Sequence, residues 1–372
     1  MKRYLMKIKP LEGYAFGTDL KLPYPDGKNG RSTYITKSSF IPEQTTILGM
    51  LRYLVLEQKG FLNSDYEYDE NQQIIMNSLI GPKSFDFSKS DQTFGIINKI
   101  SPIFIVKDSD DSSIYIKNPM NNIKLKGQSR KFLQMEQEAS NTSNGLLSLP
   151  LIDLEKIYIK PAYIKINLEE KNETHSEEED VVLESELFNT EYQVGINAQR
   201  QHESNEKSFF KQEVVYMNKN FSFGVYVDIM DDLDFNVLNK KLFCHMGQKG
   251  SLFSVEFIEK EIKPGESIDE TIDLSVKKRF AEEHDCWYYA LSDLYVSNDV
   301  TYKQFSMVNK KSTRNLHTRM ENNKVKTFRT DCQFHVIAAG SAFYLEKPFE
   351  FEKDSKYTIG YNHLIKIGGT NS

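Results

Sequence analysis

The densest group of side chains able to do chemistry lies near the end of the sequence, in NKKSTRNLHTRMENNKVKTFRTD. Lys310, Lys311, Arg314, Arg319, Lys324, Lys326 and Arg329 meet a single acid, Glu321, before Asp331. Cations at this density attract the phosphates of a nucleic-acid backbone and release its counterions. The same run also reads as a solvated hairpin whose charges serve solubility. A second candidate is the polar end of SSFIPEQTTILGMLRYLVLEQKG, which opens on Ser38 and Ser39. There Gln44, Thr45 and Thr46 crowd the start of a helix, where free N–H groups and the positive dipole end favour anions such as phosphate. A third is MGQKGSLFSVEF: Gly247 and Gly250 let backbone N–H groups approach a ligand closely, and Gln248 and Lys249 lie between them. A two-glycine loop is equally a hairpin turn. Arg130 and Lys131, with Lys124 and Lys126, form a looser basic group in a long polar stretch.

Residue types suited to catalysis are not clustered. The seven histidines are scattered singly and none precedes His175. No Walker loop, metal-spaced His/Asp pair or GxSxG elbow is present. DSDDSS, from Asp108, lacks the glycine and glutamate that a calcium loop needs at its sixth and twelfth positions, and reads as a hairpin tip. The acids Asp228, Asp231, Asp232 and Asp234 read as a helix start favoured by the dipole, with the helix running from Asp231 to Met246. His335, inside an apolar strand, reads as a satisfied core residue. The sequence therefore asks for no catalytic residue, no metal and no cofactor.

The elements that must hold these residues follow from periodicity. Ile47, Leu48, Leu51, Leu54 and Val55 recur at helical spacing, so one helix face is buried against a sheet, with Pro42 in its first turn and Gly60 as its stop. RYLMKIKPLEGYAFG ahead of it is a strand that breaks at Gly13 and at Gly17. FGIINKISPIFIV, SIYIKNP, EVVYMNKN and FSFGVYVDIM are extended runs, and a turn falls at Gly81-Pro82. CQFHVIAAGSAFYLE is a buried strand interrupted at Gly340, and YTIGYNHLIKIGG a last strand reached through Gly360.

At 372 residues, 39% hydrophobic and 12% aromatic, the chain is globular and long enough for two cores. Phe and Tyr, 24 and 20 against one Trp, suit a sheet-rich core, with some free to stack on bases. A net charge of −6 does not advertise nucleic-acid binding globally, so such binding must rest on local clusters. Cys244, Cys286 and Cys332 are too far apart for a disulfide framework or zinc site and suit a reducing, cytoplasmic setting. No run of about twenty apolar residues spans a membrane. LEEKNETHSEEEDVVLESE holds seven acids before Val181, which repel and stay extended. The expected domain boundary falls there: residues 1–167, a linker over 168–185, then 186–372. Strand, helix and strand in each half agree with a mixed α/β fold, and sheets of about four strands with ferredoxin-like building blocks.

The opening MKRYLMKIKPLEGYAFG, the block IPEQTTILGMLRYLVLEQKG and the closing AAGSAFYLE and TIGYNHLIKI resemble the RAMP superfamily. Within it they resemble the third subunits of the Cmr module, the type III-B CRISPR RNA-guided effector. VGINAQRQ and MGQKGSLFSVEF extend the likeness in patches through the middle. The resemblance implies an α+β chain of two ferredoxin-like, RNA-recognition-like domains in tandem with long insertions. The insertion at about 108–150 would act as a thumb against guide RNA, making Arg130 and Lys131 phosphate partners; an ordinary solvated loop is the alternative. Gly340, Ser341, Gly360 and Asn362 fall at the superfamily's signature loops close to RNA, although TIGYN carries fewer glycines than many members. The resemblance further implies a non-catalytic subunit that holds the five-prime tag of the CRISPR guide RNA. It would bridge the large polymerase-like subunit to the backbone subunit and meet target RNA only indirectly. Repeat-processing endonucleases of the superfamily place a histidine near the first helix, and this sequence has none there. A metal-independent repeat endoribonuclease and a purely architectural subunit are the two competing readings.

Overall fold

A computed structural model of the chain describes residues 1–25, 32–62, 68–124, 130–135, 140–142, 145–147, 160–168, 180–196, 209–230, 241–248, 250–261, 267–280, 287–296, 305–321, 324–345 and 350–368. The acidic stretch 169–179, residues 231–240, Lys126, Lys249 and Cys286 lie outside them.

The first strand, Lys2–Pro10, is buried from Arg3 to Ile8. Strand side chains alternate between faces, so Tyr4, Met6 and Ile8 enter one apolar core and Leu5 another. Arg3 and Lys7 share the Leu5 side, and each is neutralised. Arg3 donates to both carboxylate oxygens of Asp228 at 2.7 and 2.9 Å, and Lys7 pairs with Asp111. Phe221–Ile229 and Ser251–Lys260 pair antiparallel with the two edges of this strand. Among the described residues this sheet has nine strands. Across it run Val181–Leu183, Ala162–Asn167, Asp110–Lys117, Phe104–Lys107, Phe221–Ile229, Lys2–Pro10, Ser251–Lys260 and Leu242–Met246, with Ile97–Ile100 joining Phe221–Ile229. Strands from both sides of the acidic stretch thus share one sheet.

The first helix, Gln44–Gln58, buries Ile47, Leu48, Leu51, Leu54 and Val55, as its spacing predicts, in the core that holds Tyr4, Met6 and Ile8. Its N-cap is Glu43, so Pro42 precedes the helix instead of sitting in its first turn. At the other end Gly60, at φ +72°, donates to the Glu57 carbonyl at 3.1 Å and Phe61 to the Leu56 carbonyl at 2.9 Å, the paired bonds of a glycine-terminated helix. A second helix, Glu70–Ile80, is closed by a capping box between Asp69 and Gln72. The polar stretch 60–92 gave no periodic signal for it, since only Leu79 is buried.

Two sequence expectations are corrected here. The stretch Asp231–Met246 is not one helix: Leu242–Met246 is an edge strand paired with Ser251–Lys260. Asp228 lies inside a strand and answers Arg3 rather than a helix dipole. Asp269 and Glu270 do open a helix, Ile268–Arg279.

Smaller sheets accompany the large one. Phe188–Ile196, Phe209–Met217, Ser32–Ser39 and Phe16–Pro25 form one, and Phe305–Met307, Ala342–Tyr344, Trp287–Ala290 and Leu364–Ile367 another. Lys310–Glu321 and Lys324–Ile337 form a long antiparallel ribbon, joined at its base by Leu294–Tyr295. The chain is mixed α/β, sheet-rich with few helices. Among the described residues no helix is long and apolar enough to cross a membrane.

Two substitutions in the first helix separate its faces. Leu51 is fully buried, so Leu51→Ala should cost about 2–5 kcal/mol and lower the melting temperature by several degrees. Gly49 is exposed and a Cβ there would meet nothing within 4 Å, so Gly49→Ala should stabilise by about 0.5–1 kcal/mol. Chemical denaturation of both variants checks the pair, and equal effects would show the burial assignment to be mistaken.

Candidate nucleic-acid interface

Strand alternation splits the basic ribbon at its root. Lys310 and Arg314 are exposed, and Ser312 stands between them on the same face. Across the ladder Ser312 faces His335 and Arg314 faces Gln333, both exposed. Ser312 Oγ and His335 Nδ1 lie 3.1 Å apart. This corrects the expectation that His335 is a core residue: the apolar residues around it, Phe334 and Val336, take the opposite face. Lys311 and Thr313 take that inner face too, which is why adjacent lysines have different fates.

Lys311 Nζ donates to Glu43 Oε1 at 2.9 Å and also pairs with Asp293. Burial alone would lower its pKa, but the two carboxylates raise it well above the ordinary lysine value, so it stays a cation. Glu43 is the N-cap of the first helix, and its second oxygen accepts from the fully buried Tyr361 hydroxyl at 3.3 Å. Burial, together with the charges of Glu43 and Asp293, pushes the Tyr361 phenol well above its usual range, so it remains a donor.

The two glycine loops converge on the same point. Asp293 Oδ1 accepts from the Ala339 amide at 3.0 Å and its carbonyl from the Asn362 amide at 3.0 Å. Asn362, in the left-handed region at φ +62°, accepts from the Tyr295 amide at 2.7 Å. The Ser341 hydroxyl is buried, donating to the Ala338 carbonyl at 2.7 Å and accepting from the Asn309 amide at 3.2 Å. Gly340 and Gly360 take φ of +92° and +95°. Gln44 is buried, and its amide nitrogen donates to the carbonyls of Ser101 and Gly360 at 3.2 and 3.3 Å. Thr45 and Thr46 are half-buried beside it.

Fold topology therefore brings Gln44, Thr45, Thr46, Lys311, Gly340, Ser341, Gly360 and Asn362 together around Glu43 and Asp293. Lys310 and Arg314 flank the group on the ribbon's outer face. A second group forms elsewhere. Ser38 Oγ accepts from the Phe16 amide at 3.0 Å, and its own amide donates to Glu213 at 3.0 Å. Ser39 Oγ donates to the Ile41 carbonyl at 2.7 Å. Gln248 donates its backbone amide to Ala15 at 2.9 Å and accepts from the Gln212 side chain at 2.7 Å. Gly247 and Gly250, at φ +81° and +62°, close a turn between two antiparallel strands, with Gly250 N–H on the Gly247 carbonyl at 3.2 Å. Arg130 and Lys131 lie in a third place, the short strand Arg130–Phe132 paired with Asn122–Lys124. On the ribbon, register sets Arg319 directly opposite Lys326.

Two residues beside the signature loops were invisible to sequence reasoning. Glu43 sits between Pro42 and Gln44 with nothing in its spacing to mark it, and Asp293 sits in SDLY with no motif around it. His363, next to Asn362, is buried against Tyr357 with ring centroids 4.1 Å apart; burial drops its pKa to about 4 despite Asp269 nearby, which keeps it neutral near pH 7.

The family of the CRISPR-associated protein Cas_Cmr3 matches residues 21–365. The chain belongs to this family, as a Cmr3-type subunit, the same family that its two ends resemble. No curated protein matches it. Two solved chains align along nearly their whole length. One comes from the cryo-EM structure of the Type III-B Cmr-beta bound to cognate target RNA, at 15% identity over 98% of this chain and 96% of that one, with a TM-score of 0.46. The other comes from the Type III-B Cmr-beta bound to cognate target RNA and AMPPnP, state 1, at 13% identity over 98% and 99%, with a TM-score of 0.43.

Glycine at 360 is a steric requirement here. A Cβ would lie 2.4 Å from the Gln44 amide nitrogen and 2.6 Å from the Ser101 carbonyl oxygen. Gly360→Ala should cost about 1–3 kcal/mol, more than Gly60→Ala, which shares the left-handed backbone but meets nothing within 4 Å. Comparing the two melting temperatures isolates the clash; equal losses would remove the Gln44 contact from the account.

Proposed function

We propose that this protein is a non-catalytic CRISPR RNA-binding subunit of a cytoplasmic type III-B Cmr effector complex. In this reading it holds the repeat-derived five-prime tag of the guide and bridges the large polymerase-like subunit to the backbone subunit. Target RNA is met only through the assembled guide. Its architecture would be two ferredoxin-like domains in tandem, divided near residues 168–185, with the sheet between them sharing strands. Family membership over residues 21–365 supports the reading most strongly.

The ribbon supplies the physical support. On its outer face the root carries Lys310, Ser312, Arg314, Gln333 and His335, two cations among three hydrogen-bonding groups. Such a face suits phosphates and the edges of unstacked bases. Further out, Arg319 and Lys326 occupy one rung of the ladder. The neutral, buried state of His363 also suits a binding role better than acid–base work near the signature loops.

Replacing Arg314, Arg319 and Lys326 together by Ala should weaken guide retention in the assembled complex. It should also flatten the salt dependence, each lost phosphate contact lowering the log–log slope by about 0.7 for single-stranded RNA. Purified protein with repeat RNA should give no cleavage with or without divalent metal. An unchanged salt slope would return the ribbon to a solvated hairpin. Cleavage that survives repurification and disappears in a single His or Tyr variant would establish the endoribonuclease instead.

A further inference from the structure

We propose that Lys311 is a positioning residue: it latches the root of the basic ribbon to the first helix and both glycine loops, and does not itself touch RNA. The inference rests on the RNA-binding reading above, and it removes one cation of the basic run from the interface.

Three observations carry it. Lys311 Nζ reaches two carboxylates on separate segments, Glu43 at the helix N-cap and Asp293 before Leu294–Tyr295. Two carboxylates around one ammonium leave little of its charge for a phosphate, and a phosphate placed there would meet both acids. Second, each carboxylate is itself tied down. Glu43 is held by the buried Tyr361 hydroxyl, and Asp293 by the Ala339 amide, while the Asp293 carbonyl holds the Asn362 amide. One side chain thus connects the ribbon with the segments 338–341 and 360–362. Third, the inner face of the ribbon root is already anchored by packing. Thr313 and Val336 are buried, and the Phe334 ring lies 5.3 Å from Phe87 and 5.9 Å from Tyr295. Lys311 is the charged member of that inner face.

An ion pair at the root of a two-stranded ribbon sets the direction of the cations beside it. Lys310 and Arg314, one and three residues away, would inherit their aim from this latch. A residue that only added charge could be anywhere on the ribbon; a residue that aims it must be at the root and face inward, as Lys311 does.

The test uses hydrogen exchange on the full chain without RNA, and a single-stranded RNA oligonucleotide bound by the assembled complex across a salt series. Lys311→Met should raise exchange tenfold or more in Lys310–Thr313, 338–342 and 360–363 together, and weaken RNA retention several-fold. Lys311→Arg, which can reach both carboxylates, should restore both. A triple variant, Glu43→Gln with Lys311→Met and Asp293→Asn, guards against misfolding from unpaired acids; it should keep the elevated exchange at the root while remaining folded. Lys310→Ala should leave exchange unchanged and lower the salt slope by about 0.7. Unchanged exchange in Lys311→Met with a slope lowered by that amount would overturn the proposal by making Lys311 a phosphate contact. Raised exchange with normal RNA retention would overturn it by making the latch purely structural. Failure of the RNA-binding reading would look different, because Lys310→Ala and Arg314→Ala would then leave RNA retention untouched as well.

Discussion

The structure depends on one strand paired along both edges by segments more than two hundred residues away. Lys2–Pro10 can bury six consecutive residues because Phe221–Ile229 and Ser251–Lys260 satisfy its backbone on both sides. Two-sided burial also places two cations, Arg3 and Lys7, in the interior, where each needs an acid. The bidentate Arg3–Asp228 pair meets that need within the same ladder, since the register sets Arg3 opposite Asp228. The first ten residues are therefore fixed only when the second half of the chain has folded onto them.

From that sheet outward, contacts between distant segments carry the organisation. The first helix lies on the Tyr4–Met6–Ile8 face, and its N-terminal end meets the close of the chain. Gln44 reaches the Gly360 carbonyl and Glu43 reaches Tyr361. Aromatic rings complete the junction: Phe87 lies 5.0 Å from Tyr361, 5.5 Å from Tyr295 and 5.3 Å from Phe334. These rings bind the base of the ribbon to the helix side of the core. Many of the chain's numerous Phe and Tyr residues thus serve packing, which is the plainer of the two roles their abundance allowed.

Around this junction the polar groups are used twice. The helix end that sequence suggests as an anion site has Glu43 at its N-cap position, and the Glu43 carboxylate pairs with Lys311 instead of with the helix amides. The signature-loop residues turn their side chains inward, with Ser341 on Ala338 and Asn309, and Asn362 on Tyr295. What they leave to solvent is the surface that they shape. The outward face of the ribbon root, with Lys310, Arg314, Gln333 and His335, is the exposed half.

Sequence by itself determined a good deal of this. Helical spacing identified the buried face of Gln44–Gln58 and its glycine stop, and the extended runs that begin at Phe94, Ser113, Glu213 and Phe221 each overlap strands of the structure. It also found the ribbon, as a basic hairpin, and the family, from motifs spread over the chain. Those signals are local, because a residue's spacing to its near neighbours sets which face it takes. Only the tertiary structure decided which members of a motif stay outside. Lys310 and Lys311 are equivalent as letters, and they part because one faces solvent and the other faces Glu43 and Asp293, carboxylates 268 and 18 positions away. Leu242–Met246 read as helix because Leu242 continues the helical spacing of Leu233, Val237 and Leu238; pairing with Ser251–Lys260 made it a strand. The helix Glu70–Ile80 escaped notice because it buries a single residue and owes its start to a capping box. Long-range pairing and charge neutralisation fixed these outcomes, and neither is encoded in the spacing of adjacent residues.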